Sequence, residues 1–193
     1  MITLNNTSDC QRYRLCSLIK FAAVVCIILS APNIFSQTVD TLWVERWEGN
    51  WQANWHTEPG VWDVGKPSIG PKAPFSGQKC ATTGLVANYP EPVDAWMVRH
   101  STFRVPPASE NPRLRFWHWF DFSAYDYGEV QIRVGNKTTT KWNTIGGPYY
   151  NWGSGVYTYT SIDLSSYADS TVQIAFYIHT QTCCGFGPNT SSG

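Results

Sequence analysis

Two segments, Arg113-Leu-Arg-Phe-Trp-His-Trp-Phe-Asp-Phe122 and Thr171-Val-Gln-Ile-Ala-Phe-Tyr-Ile-His-Thr180, carry apolar side chains at every second position. That is the period of a half-buried β-strand. Shorter runs with the same character lie between Gly, Pro and Asn punctuation: 41–47, 61–64, 78–83, 95–99, 101–105, 129–134, 141–145 and 156–162. No stretch sustains a 3.6-residue period, apart from one short turn at 163–167. Many short strands with frequent turns predict an all-β, antiparallel two-sheet sandwich.

What precedes these strands has a different composition. Arg12, Arg14 and Lys20 lead into the apolar run 21–30, followed by Ala31-Pro32 and Ile34-Phe-Ser-Gln37. Basic, apolar and small residues in that order read as a secretory signal over 1–36, leaving a single domain over 37–193. The run is shorter than the roughly 20 apolar residues a membrane span needs, so no span is expected in the mature chain. The domain is therefore expected to be secreted or held at the cell surface. After position 36, eleven Lys and Arg face thirteen Asp and Glu, a net charge of −2 with no clustering of either sign. That balance points away from nucleic acid and from anionic membrane surfaces.

Export also bears on the cysteines. Cys80, Cys183 and Cys184 remain beyond the leader. In an oxidising compartment one disulfide is expected, from Cys80 to Cys183 or Cys184, because adjacent cysteines in an extended chain point to opposite faces.

Strand parity sorts the side chains into two sets. Leu114, Phe116, Phe120, Phe122, Val130, Ile132, Val134, Val172, Ile174, Phe176 and Ile178 form the expected core. The opposite parity holds Arg115, Trp117, Trp119 and Asp121, then Glu129, Gln131 and Arg133, then Gln173, Tyr177 and His179. If these strands share a sheet, its outer face is polar and aromatic. Trp117, Trp119 and Tyr177 would then offer flat apolar rings to a glycan or an extracellular protein, with Gln131 and Arg133 hydrogen-bonding beside them. The competing reading is that the 146–152 loop folds over the rings as a second small core.

Four pieces carry a family resemblance: Glu45-Arg-Trp-Glu-Gly49; Gly65-Lys-Pro67 with Ser76-Gly-Gln-Lys-Cys80; Leu114-Arg-Phe-Trp-His-Trp119 with Tyr125-Asp-Tyr-Gly-Glu-Val-Gln-Ile132; and Asp163-Leu-Ser-Ser-Tyr167. In this order and spacing the chain resembles the MAM-like jelly-roll domains of bacterial immune inhibitor A-type peptidases and surface adhesins. The resemblance implies a jelly roll, and also that a last aromatic strand is missing after Gly193. It implies a calcium-ligand role for Glu48; Asp126, beside the turn before Gly128, is a second candidate ligand for a structural calcium.

Catalytic signatures are not found. There is no His-Glu-x-x-His, Gly153-Ser154-Gly155 lacks the first glycine of a nucleophile elbow, and no strand carries paired acid and nucleophile carboxylates. His118 shares parity with the core and is expected to be structural. The expectation is a non-catalytic exported binding or adhesion domain; the alternative is an accessory domain of a secreted zinc peptidase whose catalytic part lies outside this chain.

Overall fold

The computed structural model describes residues 40–135, 140–150 and 153–182, together with the backbone of residues 2–6. Among these residues it is all β, with three short 3-10 turns and no α-helix. The strands are β1 Ile2–Asn6, β2 Thr41–Glu45, β3 Trp55–Glu58, β4 Asp63–Gly65, β5 Cys80–Thr82, β6 Val93–Arg99, β7 Phe103–Arg104, β8 Pro112–His118, β9 Tyr127–Val134, β10 Asn143–Tyr149, β11 Thr158–Asp163 and β12 Thr171–Thr180. Every pairing is antiparallel.

Two sheets make the sandwich. The smaller runs β11-β8-β1-β2, the larger β10-β9-β12-β6-β3 with β7 beside β12. A two-stranded ladder, β4-β5, is hydrogen-bonded to neither sheet, and its Val64 and Ala81 pack against the core. Leu114, Phe116 and Ile162 from the small sheet cluster with Met97, Val130, Ile132, Val172 and Ile174 from the large one. This is the alternation the sequence predicts, with each strand's apolar side turned to the other sheet. The longest strand, β12, has Val172, Ile174 and Ile178 fully buried.

One edge of the core is built from indoles. Trp55 is 1% exposed and lies against Trp47, Trp43 and Phe176 at centroid distances of 5.3, 6.3 and 6.0 Å. Its Nε1 donates to Glu45 Oε2 at 3.1 Å, so the buried N–H is satisfied.

The structure corrects the sequence reading in three places. β8 ends at His118, so Trp119 to Phe122 lie beyond the ladder. Val134 is 49% exposed because it ends β9 just before the Gly135 turn. The three strands compared by parity do not all share a sheet: β8 belongs to the small one, β9 and β12 to the large one. Residues 2–6, within the expected leader, form a strand between β2 and β8. No helix among the described residues is long and apolar enough to cross a membrane.

Candidate functional site

Because β8 and β9 lie in different sheets, the residues expected on one platform fall on two surfaces. Trp117 points outward from the small sheet, directly across the ladder from Tyr159 of β11, with ring centroids 5.3 Å apart. Phe75, from the Pro- and Gly-rich segment between β4 and β5, stacks on Trp117 at 4.0 Å and 12°. Tyr157 meets the edge of Phe75 at 5.6 Å and anchors that segment by donating to the Ala73 carbonyl at 2.8 Å. Among the described residues the ring that covers Trp117 is Phe75; of the 146–152 loop, residues 151 and 152 lie outside the described residues. Phe75, Trp117 and Tyr159 remain 43%, 36% and 47% exposed, a contiguous aromatic strip.

Behind the strip a cavity of about 160 Å³ runs inward from Phe75, Trp117 and Trp119 towards Phe176 and Val130 between the sheets. Trp119 is half-buried in its wall. His118 also lines it, its ring edge-on to Tyr149 at 4.5 Å and tilted against Phe120 at 5.6 Å. Nε2 of His118 is 3.1 Å from Thr160 Oγ1. Burial among these rings pushes its pKa down to about 4, so it is neutral at pH 7. Ser154 Oγ accepts the Phe120 N–H at 3.2 Å, and the Ser154 N–H donates to the Phe120 carbonyl at 2.8 Å.

Gln131, Arg133 and Tyr177 sit on the outer face of the large sheet, where neighbouring side chains engage them. Gln131 is buried, accepts Trp96 Nε1 at 2.9 Å and donates to Glu129 Oε2 at 2.7 Å. Arg133 donates from Nε and Nη2 to Gln173 Oε1 at 2.8 and 2.6 Å, its guanidinium 4.4 Å from the Trp142 ring. Tyr177 packs on Trp96 at 4.7 Å, and its hydroxyl donates to Asp94. Burial, then this bond, holds the Tyr177 phenol well above its ordinary pKa. Asp94 also meets His179 Nδ1 at 2.7 Å. These residues form a knitted polar layer, in contrast to the open rings of the small sheet.

The carboxylates proposed for metal have protein partners. Glu48 Oε1 accepts the N–H groups of Gln78 at 2.7 Å and Lys79 at 3.2 Å. It reaches them across Gly77, whose positive φ of 73° and whose missing Cβ, which would sit 2.1 Å from that oxygen, leave room for the carboxylate. Asp126, 1% exposed, accepts Tyr89 Oη at 2.8 Å and Gln181 N at 2.9 Å. Among the described residues no three His, Cys, Asp or Glu side chains are grouped to hold a metal. Glu48→Ala is expected to cost about 1 kcal/mol, since two loop N–H groups lose their acceptor. Equal melting of the parent in calcium and in chelator identifies Glu48 as a loop anchor, whereas a fall in chelator identifies a metal ligand. Among the described residues Cys80 forms no disulfide, and burial raises its thiol pKa; Cys183 and Cys184, its expected partners, lie outside the described residues.

Sequence reasoning identified Trp117 and Trp119 but missed Phe75 and Tyr159. Tyr159 shares parity with Tyr157 inside the predicted 156–162 strand, which is a usable signal. Phe75 lies in a loop without periodicity and has none.

Comparison with known proteins finds a weak relative. Over 115 residues, 60% of this chain, it is 29% identical to Bacillopeptidase F of Bacillus subtilis (strain 168), and the match takes in 8% of that protein. The chain therefore corresponds to less than a tenth of this relative's length. No family model matches, and no significant match is found among solved structures.

Proposed function

We propose that this domain is a non-catalytic, exported accessory module that recognises an extracellular protein or glycan through the aromatic strip of its small sheet. The observation that carries this reading is the exposed stack of Phe75 on Trp117 with Tyr159 beside it, at the mouth of an apolar cavity. A soluble domain that leaves three adjacent rings in water has a surface suited to being covered. Flat rings suit the C–H faces of sugars as well as apolar protein side chains. The MAM-like jelly-roll kinship inferred from sequence belongs to the same reading. Distant similarity to a protein named as a peptidase favours an accessory role within a longer polypeptide over a free-standing adhesin. The coding sequence beyond Gly193 checks this part: a peptidase signature supports the accessory role, and a sorting or adhesin region contradicts it.

Binding is tested by presenting the exported chain to a glycan array and a panel of extracellular proteins. Trp117→Ala and Trp119→Ala are expected to weaken any captured partner by about 1–3 kcal/mol, roughly 5- to 150-fold, with a smaller loss of stability. Unchanged capture by both variants would sink the reading, as would global unfolding of both.

A further inference from the structure

The small sheet has an unusual centre. Its order, β11-β8-β1-β2, places residues 2–6 between β8 and β2, with hydrogen-bonded ladders on both sides. Ile2 stands opposite Phe116 and Leu4 opposite Leu114, two of the buried residues of β8. On the other side Leu4 stands opposite Trp43, which packs against Trp55 and Phe103. The segment is Ile2-Thr-Leu-Asn-Asn6, apolar at both positions opposite the core residues and polar between them. It also lies at the start of the stretch that reads as a cleaved secretory signal.

We infer that the slot between β2 and β8 is a strand-acceptor site, which leader removal opens and which an extended peptide supplied by another polypeptide fills. The ligand class follows from the occupant seen. It is about five residues in β conformation, antiparallel to β8, with apolar residues at the register positions paired with Phe116 and Leu114. Without an occupant, β2 loses its ladder partner in this sheet, and the inward backbone edges of β2 and β8 both stand unpaired. Such edges recruit a strand, with main-chain hydrogen bonds supplying affinity and alternate side chains supplying specificity. This inference rests on cleavage of the leader and is independent of the aromatic strip.

The test uses the protein recovered from the culture medium, its N-terminus read by mass spectrometry, and a fluorescent peptide of sequence Met-Ile-Thr-Leu-Asn-Asn-Thr. Saturable binding by anisotropy is expected, with a melting temperature that rises with peptide concentration. The Leu4→Lys peptide should bind at least about tenfold more weakly, because it would put a charge at the register position between Leu114 and Trp43. Tyr125→Ala, at an exposed position in the loop after β8 and outside both the strip and the slot, should leave peptide capture unchanged. If the exported chain is unfolded alone, refolding on addition of the peptide supports the inference. An N-terminus at Met1, no capture of the peptide by folded exported protein, or no refolding of an unfolded one would overturn it.

Discussion

Trp55→Ala is expected to lower the free energy of unfolding by about 3–5 kcal/mol, as for other large aromatic side chains removed from a core. Trp55 is 1% exposed, and its ring is shared between two indoles of the β2 region and Phe176 of β12. Alanine would leave a cavity bordered by rigid rings that cannot close around it. It would also remove the N–H donor held by Glu45 Oε2. A domain of this size has only about 5–15 kcal/mol in hand, so the variant sits close to the threshold of folding. Urea denaturation of parent and variant measures the difference. Tyr125→Ala is the control: 74% exposed, it should move stability by less than about 0.5 kcal/mol. A Trp55→Ala variant as stable as the parent would show that this edge is not packed as described.

The second large effect is a loss of stability in mild acid. His118 is held neutral, its pKa lowered from 6.5 to about 4 by burial among Phe116, Phe120 and Tyr149. The unfolded chain takes up a proton below pH 6.5 while the folded chain does not until about pH 4. The His118 contribution is therefore complete above pH 6.5, falls as pH drops through that window, and is flat below it. At about 1.4 kcal/mol per unit, the change from pH 7.5 to pH 5 is about 2 kcal/mol, trimmed to about 1–2 by the ring's residual contact with solvent. His118→Gln should remove this share of the pH dependence, whatever its own stability at pH 7.5. Denaturation curves for both proteins at the two pH values decide it. Equal slopes would mean that His118 is solvated in the folded state.

Strand existence was readable from alternation, and sheet membership was not. β12 matches its predicted limits because a ten-residue alternating run has few other ways to bury one side. Parity within β8 and β9 correctly separated Leu114, Phe116, Val130 and Ile132 from their outward neighbours, but parity is a property of one strand. It does not say whether the strand after the 119–126 loop pairs with its predecessor or crosses to the opposite sheet. Here it crosses, so Trp117 and Arg133 occupy different faces. β3 escaped notice because Trp55-His-Thr-Glu58 is four residues long with a single large apolar side chain. Its place follows from pairing with β6, a contact some forty residues away in sequence. Glu48 was noticed for its family position, yet what it does depends on Gly77, thirty residues on, which no local pattern connects to it.

Radical footprinting of the exported protein, alone and with a partner captured on the array or panel, reads most directly which face is covered. Hydroxyl radicals label exposed rings, and mass spectrometry assigns the label to each residue. The account predicts protection of Phe75, Trp117 and Tyr159 when the partner is bound, with Trp142 and Tyr127 on the large sheet labelled as before. Protection of Trp142 and Tyr127 with continued labelling of Trp117 would contradict it and move recognition to the opposite face.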